Sequence, residues 1–305
     1  MANESMEAHV RRINRQDKIA TGVLTAIVGF VLLILAAIVI YILTSGAEKL
    51  FDASFLTGKP QQFKAGGGIG PELFNSFYLL VLTLLISVPI SLGAAIFLSQ
   101  YAPDNWVTSA AKTAIETLSS LPSIVVGLFG FLFFVLYMGW GFSIIAGAVA
   151  LTMFNIPILV RVIQQALEDV PRSQRDAGLA MGLTRWEATI HVLLPAAMPA
   201  IVTGVVLSAG RVFGEAAALI YTAGQSAPTL DFMCFDLTSA SCPWNIFRPA
   251  ETLAVHIWKI NSEGVVPDLT AISNGTAAVL MVCILAFNII ARLVGKALER
   301  RLTSE

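Results

Sequence analysis

Charge is scarce in this chain. Of 305 residues only 13% are charged, 56% are apolar, and the mean hydropathy is +0.77. Soluble domains carry about a quarter charged residues. This chain cannot present a solvated surface on every side, so part of its solvent must be lipid. Cysteine is nearly absent, with three residues, which excludes a dense disulfide framework. Histidine is as rare: His9, His191 and His256 lie in three separate regions with no ligand spacing, so no metal site is expected. No Gly-rich phosphate-cradling loop is present, so any ATP must be used by another protein. No nucleophile, base and orienter set appears, and neither catalysis nor a cofactor is expected. The absence of internal repeats gives an inverted-repeat secondary transporter no support. No basic stripe with aromatics points to nucleic acid.

What the chain does have is long charge-free runs. A bilayer core needs about 20 apolar residues per helix. Ile19 to Leu43 is a first span and Phe74 to Gln100, with Pro89 inside, a second. Thr117 to Val160 holds no charged residue, is too long for one helix, and is broken in two at Met138-Gly139-Trp140-Gly141. Ala197 to Tyr221 and Ser273 to Ala291 complete six. The first run far exceeds the ~7–15 apolar residues of a signal peptide and lacks a clear cleavage site.

Loop charge sets the expected orientation. Thirteen of the 19 Lys and Arg residues fall on one side of a six-span layout and five on the other, with Arg211 inside a span. The positive-inside rule then puts both termini in the cytoplasm. The expected organisation is a cytoplasmic tail over 1–18, a first transmembrane helix over 19–44, a core over 74–295 with five more helices and a cytoplasmic loop at 166–195, and a tail over 296–305. The outer loop from Thr222 to Ile272 is polar enough to cap the outer mouth, with helical spacing of Leu253, Ile257 and Ile260. Cys234 and Cys242 share this loop and form either a short disulfide or two free thiols.

The cytoplasmic loop reads Pro171-Arg172-Ser173-Gln174-Arg175-Asp176-Ala177-Gly178-Leu179-Ala180-Met181-Gly182-Leu183-Thr184-Arg185-Trp186-Glu187. Ser173 with Asp176 is a variant capping box, and Thr184 with Glu187 a standard one. Gly182 falls where a residue of positive φ ends a helix. The local physics predicts helix, sharp glycine turn, and a second helix running into Pro195. The protruding helix, with Ala177, Ala180 and Met181 on one side, suits a groove on a partner. An amphipathic loop lying on the membrane surface is the plainer alternative.

The spacing Asp176-Ala177-Gly178, three residues, Gly182, nine residues, Val192, one residue, Leu194-Pro195 resembles the coupling motif of bacterial ATP-binding-cassette importers. There the pattern is Glu-Ala-Ala, three residues, Gly, nine residues, Ile, one residue, Leu-Pro. Every interval matches; Asp176, Gly178 and Val192 are the departures. Gly178 should loosen the short helix by roughly 1 kcal/mol relative to Ala. Pro122-Ser123-Ile124-Val125-Val126-Gly127-Leu128-Phe129-Gly130, then Asn155-Ile156-Pro157 with Arg161, then Gly204, Arg211, Gly214 and Glu215, resemble phosphate-importer permeases. Leu219 to Ala223 and Leu253 to Lys259 look like the PstA type of subunit rather than its PstC partner, although Ala216 and Ala218 stand where that type has Thr and Pro.

The resemblance implies an all-α membrane protein of the type I importer permease fold in a bacterial cell membrane. It implies alternating-access import of inorganic phosphate, driven by two copies of a separate cytoplasmic ATPase. A homologous PstC-type permease subunit and an extracytoplasmic phosphate-binding protein would be its partners. Asp176, Ala177, Gly178, Gly182, Leu194 and Pro195 would couple to the ATPase. Permeation of another oxyanion, molybdate or sulfate, is an alternative. An ATP-independent channel or secondary transporter is another, and a phosphate-signalling role could coexist with transport.

Arg211 stands out without any resemblance. If its helix starts near Ala197, Arg211 lies roughly 21 Å deep. An arginine there costs about 3 kcal/mol on insertion scales and should face protein or water. Glu215 is four residues on, which in a continuous helix puts both on one face. The pair is either a translocation-pathway element, with the guanidinium offering paired hydrogen bonds to an oxyanion, or a static ion pair.

Overall fold

A computed structural model describes residues 2–61, 64–264 and 266–303. Met1 and the last two residues of the expected tails lie outside them. The described residues are helical with connecting loops. Helix α1 spans Ala2–Ser45 and is followed by the short helices α2 (Ala47–Leu50) and α3 (Ala53–Thr57). The first apolar run is exposed along nearly its whole length. It meets the rest of the chain at its end, where Gly46 lies against the Asn274 carbonyl and Ala278 with no room for a Cβ.

The second run forms α4 (Gly70–Ile96), with Pro71 in its first turn and a π-helical turn over Phe97–Tyr101. Proline fits there because a first-turn amide has no intrahelical partner. Helix α5 (Trp106–Ser119) is capped by Asn105, whose side chain accepts from the Thr108 amide at 2.9 Å. It is separated from α6 (Ser123–Gly130) and its π-helical extension Phe131–Tyr137 by a bend of 96°. Pro122 sits at that bend and disfavours helix for the residue before it.

Gly139 and Gly141 then adopt φ of +70° and +65°, ending the apolar run where the sequence expected a break. Helix α7 (Ile144–Glu168) follows, capped by Ser143. Helices α8 (Arg172–Ala180), α9 (Arg185–Ala188), α10 (Leu194–Phe213), α11 (Ala217–Thr222), α12 (Leu253–Glu263) and α13 (Leu269–Thr303) complete the chain.

Five described helices are long and apolar enough to cross a membrane, and the bent α5–α6 pair supplies a sixth if it counts as one crossing. The centre of the bundle is α7, which packs along α4, α10 and α5. One apolar core joins Leu79, Leu151, Phe213, Leu219 and Leu253, and a second joins Ile96, Leu159, Ile163, Leu193 and Ile201 toward the α8 end.

The fifth span differs from expectation at both ends. Its helix begins at Arg185, runs through a π-helical turn at Thr189–Leu193 into α10, and stops at Gly214. The expected continuation to Tyr221 is a separate helix, α11, seated on α6. At that crossing a Cβ on Gly127 would lie 2.7 Å from the Ala218 Cα, so the two backbones meet where only glycine fits.

Opposite the α8 end, α12 forms where the apolar spacing placed a helix, capped by Thr252. The loop before it is pinned by Arg248, which is buried. Its guanidinium donates to the carbonyls of Cys242 (3.1 Å), Pro243 (3.1 Å) and Pro249 (3.3 Å) and to Asn75 Oδ1 (2.7 Å). Burial pulls its pKa down to about 10, which leaves it protonated at neutral pH. Cys234 and Cys242 are free thiols.

Candidate functional site

The α8–α9 loop is a helix, a left-handed glycine and a second helix. Helix α8 starts at Arg172, directly after Pro171, with no side-chain cap. The capping role expected of Ser173 and Asp176 is therefore not taken up: Ser173 already lies inside the first turn, because Pro171 supplies the stop.

At the other end Gly182 has φ +87°. Its amide donates to the Leu179 carbonyl (3.0 Å) and the Leu183 amide donates to the Gly178 carbonyl (3.2 Å). Those two bonds make a Schellman ending, which satisfies the last carbonyls of the helix. Thr184 and Glu187 form the expected capping box: Thr184 Oγ1 accepts from the Glu187 amide at 3.2 Å, and a Glu187 carboxylate oxygen accepts from the Thr184 amide at 2.8 Å.

The residues of the spaced motif divide by direction. Gly178 is buried, facing Val192, Leu183 and Ala188. Leu194 packs on the second apolar core, and Pro195 lies in the first turn of α10. Asp176, Ala177 and Ala180 are exposed, and so are Met181 at 85% and Trp186 at 57%. Gly178, Gly182 and Leu194 thus shape and anchor the pair, while Asp176, Ala177, Met181 and Trp186 form its free surface. Exposed Met and Trp beside a short helix are unusual for solvent and suited to a partner's groove.

Arg211 and Glu215 are not brought together. Helix α10 ends at Phe213, so the four-residue spacing no longer puts them on one face. Among the described residues no ion pair joins them. The Arg211 guanidinium lies over the Phe154 ring at 4.3 Å from its centroid, a cation–π contact, and is exposed on this single chain. Glu215 lies beyond the end of α10 and accepts from the Ala218 amide, in the first turn of α11, at 3.3 Å.

Beside Arg211 runs a buried polar seam that the sequence reading did not single out. Thr83, Ser87 and Ser91 recur every fourth residue along α4 and are fully buried. Asn155 on α7 donates to Ser87 Oγ at 3.1 Å and accepts from Ser208 on α10. Thr152 and Ser91 reach the Thr83 and Ile156 carbonyls at 3.5 Å and 3.4 Å. Three helices are therefore joined by hydroxyls and one amide at membrane depth. The signal was present as small polar residues at helical spacing inside an apolar run.

A multi-pass helical bundle with a protruding helix–glycine–helix loop has the build of an importer's membrane subunit driven from outside the chain. The family described as the binding-protein-dependent transport system inner membrane component matches residues 87–304, and the chain belongs to that family. Its members are non-catalytic permeases of ATP-binding-cassette importers, multi-pass in the membrane, working with a separate ATPase and a binding protein.

The chain is 49% identical over 288 residues to the probable ABC transporter permease protein YqgI of Bacillus subtilis (strain 168), covering 94% of this chain and 98% of that one. It is 31% identical over 286 residues to the phosphate transport system permease protein PstA of Yersinia pestis, covering 92% and 90%. Among solved structures, a chain of a bacterial alginate ABC transporter in complex with alginate pentasaccharide-bound periplasmic protein superposes with a TM-score of 0.62 at 14% identity, covering 95% and 96%. A chain of the inward-facing MetNI methionine ABC transporter gives 0.55 at 17% identity, covering 76% and 94%. The fold is that of a type I importer permease.

Proposed function

We propose that this chain is the PstA-type half of a phosphate importer's membrane pore. It pairs with a homologous PstC-type permease and receives inorganic phosphate from an extracytoplasmic binding protein. Two copies of an ATPase grip the two coupling loops. The likeness over 92% of the chain to a protein named for phosphate transport carries the substrate assignment. The α8–α9 pair is the ATPase contact: Asp176, Ala177, Met181 and Trp186 enter a groove, and Gly178, Gly182, Leu194 and Pro195 transmit its movement into α10. Arg211, exposed on the single chain beside the polar seam, faces the partner permease and the anion's route. A guanidinium there offers paired hydrogen bonds to a tetrahedral oxyanion. Glu215 acts at the joint between α10 and α11. Both termini and the α8 end are cytoplasmic, and α12 caps the outer mouth.

The purified assembly in proteoliposomes tests this reading. Binding protein loaded with phosphate should stimulate ATP hydrolysis and phosphate uptake, and molybdate or sulfate in excess should not compete. Uptake of another solute, with phosphate inert, would overturn the substrate assignment. Orientation is read separately on a chain lacking native cysteines: a cysteine at position 262 should label from outside intact cells with an impermeant reagent, and one at 303 should not.

A further inference from the structure

At the α12 end of the bundle four titratable side chains converge under that helix. Glu72 comes from the first turn of α4, Glu251 from just before α12, and His256 and Lys259 from α12 itself. His256 Nδ1 lies 2.6 Å from Glu251 Oε1 and 3.9 Å from Glu72 Oε1. Lys259 Nζ donates to Glu251 Oε2 at 3.0 Å and to the Gln225 carbonyl at 2.7 Å.

Glu72 is fully buried, and neither of its carboxylate oxygens has a hydrogen-bond partner among the described residues. The polar side chains three and four residues on along α4 are committed elsewhere. The Ser76 hydroxyl donates to the main-chain carbonyl of Glu72 at 2.8 Å and accepts from the Leu253 amide at 2.9 Å. The Asn75 amide donates to the Glu251 carbonyl at 3.0 Å. A buried carboxylate without a donor or a cation is among the costliest arrangements a fold can hold. One ligand atom each from Glu72, Glu251 and His256 lie within 4.8 Å of one another.

We propose that Glu72, Glu251 and His256 bind a divalent ion of the zinc class. Zinc bonds to carboxylate oxygen and imidazole nitrogen are about 2.1 Å, which in a tetrahedron separates ligand atoms by about 3.4 Å. The 2.6 Å contact opens and the 3.9 Å contact closes to reach that spacing, each by less than an ångström. A cavity of about 590 Å³, lined by Glu251, His256, Lys259 and Gln61, leaves a fourth position to water or an exchangeable ligand. Two carboxylates with one imidazole favour a borderline transition ion over Mg2+ or Ca2+, which take more oxygen ligands. Lys259 holds the remaining oxygen of Glu251 and opposes the ion by its own charge. The rival occupant is a proton shared by Glu72 and His256. The ion ties α12 to the first turn of α4 and so fixes the cap to the bundle. His256 has no second histidine at ligand spacing in the sequence; its companions are carboxylates brought in by the fold.

The test uses the tag-free full-length chain in detergent with Cys234, Cys242 and Cys283 replaced by Ser, stripped with a chelator and titrated with Zn2+ and Co2+. The expected result is one saturable equivalent per chain, a visible Co2+ ligand-field band, and a higher thermal midpoint with Zn2+. Glu72→Gln and His256→Gln should each weaken Zn2+ binding at least tenfold and remove the band, whereas His9→Gln and His191→Gln leave both unchanged. Lys259→Met keeps the three ligands, removes the opposing charge and should tighten binding severalfold, a gain that misfolding cannot produce. No saturable binding by the parent chain would overturn the site in favour of the shared proton. So would binding retained by both Glu72→Gln and His256→Gln.

Discussion

The Leu183 amide donates to the Gly178 carbonyl across Gly182, and this 3.2 Å bond closes the α8 helix into its turn. The turn exists only while Gly182 holds φ at +87°. Open space surrounds that glycine, with nothing within 4 Å of a built Cβ, so a side chain there meets no neighbour and suffers only from the backbone conformation. Gly182→Leu should cost the turn about 1–2 kcal/mol and splay α8 from α9. The chain should still accumulate in the membrane but retain its ATPase poorly on co-purification and lose uptake. Gly182→Asn, which tolerates this region better, should be intermediate.

Gly178 predicts the opposite sign. A Cβ there would meet Val192, Leu183 and Ala188 at 3.4, 3.6 and 3.7 Å, ordinary van der Waals distances. Gly178→Ala should therefore keep the loop and stiffen α8 by about 1 kcal/mol. Thermal unfolding of the purified chain should rise slightly, with transport at or above the parent level. Gly178→Leu should lose both, because no space exists beyond the first carbon.

Asn155 is the joint of the polar seam. Asn155→Leu removes the donor to Ser87 and the acceptor of Ser208, leaving two hydroxyls at membrane depth without these partners. A loss of about 1–3 kcal/mol is expected, read as a lower unfolding midpoint in detergent. Ser87→Ala combined with Ser208→Ala on the Asn155→Leu background should recover part of it, since no orphaned hydroxyl then remains.

Arg211 and Glu215 should behave as independent residues. Arg211→Gln should abolish uptake while the assembly still forms. Glu215→Gln should act through the start of α11. The double variant should transport no better than Arg211→Gln, and the effects of the two changes on thermal stability should add. Restored transport in the double variant would instead mean that the residues pair in some state of the working transporter.

Much of this was legible because it is local. Gly182, the Thr184–Glu187 box, the Gly139 and Gly141 break and the Thr252-capped helix each follow from a few adjacent residues. The end of α10 at Gly214 was not legible: apolar composition runs on through Tyr221, and the break is set by α11 seating on Gly127 of α6. The bend at Pro122 was not legible from apolar composition, because the charge-free run continues on both sides of it and only the paired helices show the 96° turn. The clustering of Glu72 with His256 has no local trace, since the two meet only when α12 folds onto α4.

The π-helical turn at Thr189–Leu193 gives the spacing of the loop a physical meaning. It stores one residue beyond the α-helical count, and one residue is about 100° of rotation about the axis. Everything on its loop side, including Trp186 and the turn at Gly182, is thereby aimed in a different compass direction from the one a regular helix would dictate. The nine residues between Gly182 and Val192 act as a protractor. Regularising that turn to α-helix with no residue removed would leave every side chain chemically intact and rotate the exposed face of Trp186 and α8 by about 100°.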